Sequence, residues 1–205
     1  MNADFWDKRY LEQGFAYGKL PNRFFQEKLK LISPGKILLP AEGEGRNAME
    51  AYHQGWEVMA FDISDAGVQK ALIWALDIGA EFHFEMVDAK KFLENDSSLF
   101  DAVAFVFSHF SGLDRVQLHA DLADRVKSGG YAIMEVFAKG HEYYNALNPE
   151  VGGPKNPEML FSVEEARVIF SDYELLEISV EEVTLDEGKY HLGLGLVLRV
   201  FARRR

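Results

Sequence analysis

The sequence has no cysteine, no long apolar run and only one short basic run. The absence of cysteine from its 205 residues excludes disulfide bonds and thiolate metal sites, and it suits a cytoplasmic protein. No apolar run approaches the roughly 20 residues that a membrane span needs, and the acidic, aromatic N-terminus is unlike a signal peptide. We therefore expect a cytoplasmic protein of one domain that does not enter a membrane.

Positive charge is scarce in this chain. The formal net charge is −11, and the basic run at residues 203–205 is interpreted as a solvated tail. An acidic surface repels phosphate backbones, so we expect no nucleic-acid substrate. The expected partner is a small molecule, no metal is expected, and the oligomeric state is expected to be a monomer or a homodimer.

From residue 36 onward, apolar runs alternate with helical patterns. The predicted strands cover residues 36–40, 56–61, 82–87, 101–107 and 130–137. The predicted helices between them cover residues 46–54, 65–79 and 113–127. Such alternation implies parallel strands joined by right-handed crossovers, and the continuous apolar runs indicate strands covered on both faces. Gly129 and Gly130 are interpreted as the turn into the fifth strand.

The two ends of the chain have a different pattern. The first 25 residues are rich in aromatic side chains, and two short helices are predicted at about residues 4–12 and 22–32. Near the C-terminus, Ser162 and Glu165 form a capping box that opens a helix to about residue 170. Strands predicted at residues 174–185 and 190–202 flank a short turn, so they form a hairpin and the last strand runs antiparallel to its neighbour.

The most informative stretch lies at residues 37–48. An apolar run there ends in Gly43 and Gly45 and passes directly into a helical pattern. The next apolar run ends in Asp62. An α/β fold holds a nucleoside by this succession of strand, glycine turn, helix, strand and acid. The glycines admit the ligand, and the acid binds the ribose hydroxyls.

Five β/α units closed by a hairpin resemble the class I S-adenosylmethionine-dependent methyltransferases over nearly the whole chain. The resemblance implies a Rossmann-like α/β fold whose seven-stranded sheet is mostly parallel, with the order 3-2-1-4-5-7-6 and an antiparallel last strand. It divides a single domain of residues 1–205 into a short N-terminal helical lid at residues 1–33, cofactor-binding βα units at 34–138, and a substrate-side loop, helix and hairpin at 139–205. The ligand is expected at the carboxyl ends of strands one and four.

The resemblance also assigns roles to individual residues. The acidic glycine loop would face the methionine part of the cofactor, Asp62 the ribose, Asp88 the exocyclic amine of adenine, and the end of the fourth strand the substrate. The implied cofactor-binding residues are Trp6, Tyr10, Gly18, Glu42, Gly43, Glu44, Gly45, Arg46, Asn47, Asp62, Ile63, Val87, Asp88, Ala89, Phe105 and Val106. The implied cofactor is S-adenosylmethionine, and the product would be S-adenosylhomocysteine.

A narrower resemblance is to the small bacterial branch that includes tellurite-resistance and thiopurine-type methyltransferases. It rests on residues 5–10, on Tyr17 and Gly18, on residues 44–47 and on residues 152–160. In such relatives the N-terminal segment folds over the cofactor, which implies that Trp6, Tyr10 and Gly18 are lid residues. The implied acceptor is a thiol, a chalcogen oxyanion such as tellurite or selenite, or a thiopurine.

The glycine loop departs from the family pattern at one position. The usual motif has an acid two residues before its first glycine, whereas the chain has Leu39 and Ala41 at those two positions. Glu42 is the predicted replacement for the missing carboxylate, and Glu44 is the alternative.

Two other functions remain open from the sequence. Residues 43–48 also fit the dinucleotide pattern G-x-G-x-x-A, with Asp62 near the place of an NAD ribose acid, so an NAD(P)-binding oxidoreductase is the first alternative. Glu42 and Glu44 disfavour a pyrophosphate and suit the ammonium and sulfonium of S-adenosylmethionine. A cofactor-binding domain without catalysis is the second alternative.

Several polar residues have two interpretations. His109, at the end of the fourth strand, could orient or deprotonate a nucleophile or could be packing between two phenylalanines. Lys155 could pair with an anionic substrate or be an exposed loop residue, and Arg46 could bind the cofactor or be solvated. The remaining histidines show no metal-ligand spacing and are interpreted as structural or surface residues: His53, His83, His119, His141 and His191.

Overall fold

The computed structural model describes residues 2–110, 112 and 114–205. Its seven strands form one sheet with the order β3-β2-β1-β4-β5-β7-β6. The strands are β1 (Lys36–Pro40), β2 (Glu57–Asp62), β3 (His83–Met86), β4 (Phe100–Val106), β5 (Val126–Phe137), β6 (Tyr173–Glu187) and β7 (His191–Arg204). The pairs among β1 to β5 are parallel, and β7 pairs antiparallel with both β5 and β6. The predicted fold class, strand order and reversed last strand are therefore confirmed.

Within these described residues, eight α-helices surround the sheet. They are α1 (Ala3–Tyr10), α2 (Arg23–Leu29), α3 (Arg46–His53), α4 (Asp65–Ile78), α5 (Ala89–Asn95), α6 (Arg115–Ala123), α7 (His141–Leu147) and α8 (Val163–Ile169). Two single-turn 3₁₀ helices follow α7, at Pro149–Val151 and Pro157–Met159. Met1, in the predicted lid, and residue 113, the predicted start of a helix, lie outside the described residues. Among the described residues, no helix is both long and apolar enough to cross a membrane.

The helices cover both faces of the sheet. Leu38 packs in the core that α5, α6 and α8 cover, whereas Ile37 and Leu39 pack in the core under α2, α3 and α4. Successive strand residues point to opposite faces, so a continuous apolar run fills two cores at once. This three-layer arrangement leaves the carboxyl edge of the sheet for loops.

Every predicted helix and strand has a counterpart, but the structure corrects the start of the fifth strand. β5 begins at Val126, and its pairing with β4 shifts register between Phe100 and Ala102. Gly129 and Gly130 therefore lie in a bulge inside the strand and not in a turn before it. A side chain at Gly130 would lie 2.6 Å from the Asp101 carbonyl oxygen, so the bulge requires glycine there.

Two of these helices, α5 and α7, are not predicted from the sequence. Each has only seven residues, which is too short for a helical period to repeat convincingly. The start of α5 is nevertheless marked, because the Asp88 side chain accepts the backbone N–H groups of Lys90 and Lys91. The predicted capping box of Ser162 and Glu165 is present at the start of α8.

The lid and the C-terminal hairpin close on each other. Lys189 N–H donates to the Ala16 carbonyl at 2.8 Å in the hairpin turn. Further along, the Asn22 amide donates to Glu135 on β5 at 2.5 Å and to Glu187 at the end of β6 at 3.1 Å. These bonds hold the lid across the carboxyl edge of β1, β4 and β5.

Candidate functional site

A cavity of about 750 Å³ opens at the carboxyl edge of the sheet. The strand order reverses between β1 and β4, so the chain leaves these neighbours in opposite directions and opens a crevice there. Ala41 after β1, Asp62 at the end of β2, Asp88 after β3 and Val106 at the end of β4 all line it. The lid lies over these residues.

The glycine loop is shaped to let two neighbours approach. Gly43 has φ +63°, and a Cβ there would lie 2.5 Å from the Tyr10 hydroxyl oxygen. Gly45 has φ +85°, and a Cβ there would lie 2.8 Å from the Ala71 side chain on α4. Both glycines therefore serve close packing of the lid and α4, and neither lines the cavity. Ala41 adopts φ +53°, at the position where the family motif has its first glycine.

Glu42 lies at the cavity wall, and its carboxylate bonds the start of α3. It accepts the backbone N–H groups of Asn47 at 2.7 Å and Ala48 at 2.9 Å, together with the Asn47 side-chain amide at 3.2 Å. Burial raises the pKa of Glu42 to about 7, against the opposing effect of these N–H bonds. The second and third N–H groups of α3, those of Asn47 and Ala48, are therefore already bonded to a side chain of the protein itself.

Glu44 points away from the cavity. Its carboxylate accepts the Ala16 backbone N–H at 2.7 Å and pairs with Lys70 of α4 at 2.9 Å. The Lys70 ammonium also donates to the carbonyls of Glu12 and Gly14 in the lid. Glu44 thus holds the lid, and Glu42 is the loop acid that reaches the cavity.

Two acids, Asp62 at the end of β2 and Asp88 after β3, line the same cavity. Asp62 accepts the Gly43 N–H at 2.8 Å through one carboxylate oxygen and the Ser64 N–H at 2.9 Å through the other. Burial raises the pKa of Asp62 to about 6. Asp88 uses a single oxygen to cap α5, so its other carboxylate oxygen is left for a ligand.

The lid helix α1 presents a row of side chains to the cavity. Phe5, Trp6, Arg9 and Tyr10 all line it, and the Trp6 and Tyr10 rings stack with their centroids 5.6 Å apart. Asp7, on another side of α1, accepts the Ser64 hydroxyl at 2.5 Å and the Ala66 N–H at 3.1 Å, which fixes α1 to the start of α4. Trp6 and Tyr10, which the resemblance implies are lid residues, thus line the cavity from α1.

Arg9 is a cavity residue that the sequence analysis did not single out. Its guanidinium donates to the Tyr17 hydroxyl at 2.7 Å and lies over the rings of Phe5 and Tyr190, at 4.8 and 4.1 Å from their centroids. The sequence does contain a signal for its position. Arg9 lies four residues after Phe5 and three after Trp6, and residues three and four apart share a helix face. Arg9 brings a cation into a cavity that also contains three carboxylates.

The far end of the cavity is apolar. Phe107, with φ +48°, Phe110, Phe137 and Met159 line it. His109 lies beside them with its ring parallel to that of Phe137 at 6.0 Å. Both nitrogens of His109 are buried and have no hydrogen-bond partner among the described residues, and burial lowers its pKa to about 3. His109 is therefore a neutral imidazole, and none of the described residues orients its ring by a hydrogen bond.

His191 lines the same end of the cavity, although the sequence analysis took it for a structural or surface residue. Its ring centroid lies 4.6 Å from that of Phe107 and 4.5 Å from that of Tyr17. Its Nδ1 lies 2.9 Å from the Glu187 carboxylate, and Glu187 pairs in turn with Arg46 at 2.9 Å. Arg46 is therefore neither solvated nor a free cation.

The structure brings eleven of the predicted site residues together. Those that line the cavity are Trp6, Tyr10, Glu42, Arg46, Asn47, Asp62, Ile63, Asp88, Ala89, Val106 and His109. Six others do not line it: Gly18, Gly43, Glu44, Gly45, Val87 and Phe105. Gly18 packs on the hairpin turn at Gly188, and Phe105 is fully buried in the core because it points to the opposite face of β4. Lys155 lines the mouth and is exposed.

Comparison with known proteins identifies this architecture. Residues 37–130 match the family model described as a methyltransferase domain. The fold is the class I methyltransferase fold. No curated protein matches the chain by sequence. Within the described ranges, no three His, Cys, Asp or Glu side chains come together as a metal-binding group.

Solved structures share this fold along nearly the whole chain. TehB from Haemophilus influenzae is 16% identical, with a TM-score of 0.72 over 99% of this chain and 67% of that one. A protein described for the conversion of a disulfide bond into a thioacetal group during echinomycin biosynthesis is 21% identical, with a TM-score of 0.73 over 98% and 92%. Magnesium protoporphyrin IX methyltransferase (ChlM) from Synechocystis PCC 6803, with bound SAM, is 15% identical, with a TM-score of 0.64 over 99% and 95%. Identities this low establish a shared fold and leave the reaction to be argued from the site.

Proposed function

We propose that this protein transfers the methyl group of S-adenosylmethionine to a small-molecule acceptor. The observation that carries the proposal is the pair of carboxylates, Asp62 and Asp88, that face one cavity from the ends of neighbouring strands under an aromatic lid. That a similar fold in ChlM holds SAM supports the choice of cofactor.

The residues present fit this cofactor. Each Asp62 oxygen accepts one backbone N–H and keeps a lone pair for a ribose hydroxyl, and the second oxygen of Asp88 can accept from the adenine amine. The Arg9 guanidinium suits the carboxylate of the methionine part, while Glu42 suits its ammonium. The Trp6 ring at the lid suits a sulfonium, since ring faces attract cations by about 0.5–2 kcal/mol.

The start of α3 argues against a dinucleotide. A pyrophosphate binds at a helix N-terminus through free backbone N–H groups. Here the N–H groups of Asn47 and Ala48 are already bonded to the Glu42 carboxylate, which would also repel a phosphate. This arrangement favours a cationic ligand over NAD(P).

When bound, the cofactor supplies a methyl group that is already activated by its positive sulfur. The protein residues would align the acceptor with that methyl group and exclude water, as the walls of partly buried Phe107 and fully buried Phe137 allow. The same walls favour an acceptor with an apolar body, such as a thiol or a thiopurine, over a hydrated oxyanion such as tellurite. The conversion of a disulfide bond into a thioacetal group, for which the echinomycin protein is described, is sulfur chemistry and is in line with that choice.

Titration calorimetry with S-adenosylhomocysteine and with NADH tests the proposal. We expect micromolar or tighter binding of S-adenosylhomocysteine and none of NADH. Asp62→Asn should weaken S-adenosylhomocysteine binding by about tenfold or more, because a charge-assisted hydrogen bond contributes about 1.5–3 kcal/mol. Asp77→Asn, at an exposed position of α4, is the matched control and should bind as the unchanged protein does. Binding of NADH alone would show an oxidoreductase, and binding of neither ligand would contradict the cofactor assignment.

A further inference from the structure

We propose that His191 accepts the proton of the acceptor and that Glu187 positions it, so that the acceptor is a neutral, apolar molecule with an O–H or S–H group. This inference rests on the proposed function but concerns other residues. It starts from a histidine and a carboxylate that the hairpin brings together at the cavity wall.

The strand register itself creates the pair. Glu187 is the last residue of β6 and His191 the first of β7, and they are paired directly across the hairpin. The three-residue turn between them leaves the Glu187 carboxylate 2.9 Å from His191 Nδ1. Their relative position is therefore fixed by backbone pairing and does not depend on a mobile loop.

Glu187 is held as a carboxylate. Burial raises its pKa, but the Arg46 charge and the hydrogen bonds from His191 and Arg46 outweigh burial and lower the pKa to about 2. Arg46 donates to it at 2.9 Å and Asn22 at 3.1 Å. An ionised carboxylate can only accept hydrogen bonds, so the neutral His191 ring carries its proton on Nδ1.

That tautomer leaves a lone pair on Nε2. Among the described residues, the Glu187 carboxylate is the hydrogen-bond partner of His191 Nδ1. The His191 ring lines the cavity, where it neighbours the rings of Phe107, Phe137 and Tyr17. An imidazole whose Nδ1–H is fixed by a carboxylate and whose Nε2 faces the substrate has the arrangement of a general base.

The other buried histidines do not offer this arrangement. Both ring nitrogens of His119 and of His141 are bonded to groups of the protein. His109 lines the cavity, but none of the carboxylates that the structure describes bonds its ring. His191 lines the cavity and combines a ring held by Glu187 with an Nε2 atom that has no hydrogen-bond partner among the described residues.

The step balances without any further reagent. His191 Nε2 takes the proton of the acceptor O–H or S–H while the oxygen or sulfur forms its bond to the methyl carbon. The bond from the methyl carbon to the cofactor sulfur breaks, and its electron pair stays on that sulfur, giving S-adenosylhomocysteine. The imidazolium, stabilised by Glu187, then releases its proton to water.

Methyl transfer to two acceptors tests the role of His191. The full chain is incubated with S-adenosylmethionine and either phenol, which is neutral at the assay pH, or 4-nitrothiophenol, which is ionised. His191→Gln should slow transfer to phenol by about 100-fold, within the range of general-base catalysis, and transfer to the thiolate by less than about threefold. Its S-adenosylhomocysteine affinity should be unchanged. His53→Gln, at an exposed position of α3, is the matched control and should alter neither rate.

A spectroscopic measurement tests the positioning role without turnover. A long-range ¹H–¹⁵N spectrum of the unchanged protein should show His191 protonated on Nδ1, and Glu187→Gln should lose that preference and slow transfer to phenol. A proton on Nε2 in the unchanged protein would overturn the inference, even if both variants failed to fold.

The remaining outcomes separate the two proposals. If S-adenosylhomocysteine binds but neither acceptor is methylated, or if His191→Gln slows both acceptors equally, the inference about His191 and the acceptor is wrong. If S-adenosylhomocysteine does not bind at all, the proposed function itself fails.

Discussion

Replacing Glu187 with glutamine should destabilise the protein by about 3 kcal/mol near neutral pH. The pKa of Glu187 lies at about 2 instead of 4.5, and this difference of about 2.5 units corresponds to about 3 kcal/mol. Breaking a buried ion pair costs about 3–5 kcal/mol, because the remaining charge is left unpaired in the interior. Only 9% of the Arg46 side chain and 12% of the Glu187 side chain is exposed, so solvent screens the pair little.

The cost of this substitution should shrink in acid. A carboxylate whose pKa is lowered by folding contributes its stability above its unfolded pKa and loses it as the pH falls through its folded pKa. The relevant window therefore runs from about 4.5 down to about 2, and by about pH 3.5 the contribution should fall to about 2 kcal/mol.

Urea unfolding of both proteins at neutral pH and at about pH 3.5 measures the effect. Glu57→Gln is the control, because Glu57 pairs with Lys36 at 3.7 Å with 74% of its side chain exposed, and such a surface pair contributes about 0–1 kcal/mol. A cost for Glu187→Gln below about 1 kcal/mol at neutral pH, or an equal cost at both pH values, would refute the account of a buried charge pair.

Three further predictions concern the glycine loop after β1 and Asp62 at the end of β2. Ala41→Gly should raise the free energy of unfolding by about 1 kcal/mol, since φ +53° strains alanine; no gain in urea unfolding would contradict this. Gly43→Ala should cost about 1–2 kcal/mol and weaken S-adenosylhomocysteine binding, because its Cβ would displace the Tyr10 hydroxyl. Tyr10→Phe should restore part of that loss, and additive losses in the double variant would show that the two residues do not interact. Asp62→Asn should lose ligand affinity while keeping its stability at neutral pH, because burial raises the pKa of Asp62 to about 6; circular dichroism melting with calorimetry separates the two.

The sequence predicted the strands well because their signal is local. Residues 36–40 and the run that ends in Asp62 are buried on both faces, so they read as continuous apolar segments. The order of the strands came only from the family resemblance. The bulge at Gly129 and Gly130 was missed because a turn and a bulge place the same demand on glycine.

Asp62 and Asp88 can be singled out from the sequence because each stands at the end of a predicted strand or just after it. His191 was missed for a reason of register. The predicted turn covered residues 186–189, whereas the observed one leaves Glu187 paired with His191. Because side chains alternate between the faces of a strand, a small shift at the turn changes which residues meet, and no local pattern reveals it.

The closure of the lid on the hairpin has a consequence for biosynthesis. The lid is made before the hairpin, and some of the groups that hold it, including Glu187 and the Lys189 backbone N–H, lie more than 160 residues later in the chain. A nascent chain can pair β1 to β4 while these groups are still unsynthesised, but its N-terminal aromatic residues have no hairpin to dock on. Contacts of such long range form slowly, and exposed apolar surface is a target for chaperones until they do. The binding cavity is therefore completed only when the last hairpin has left the ribosome.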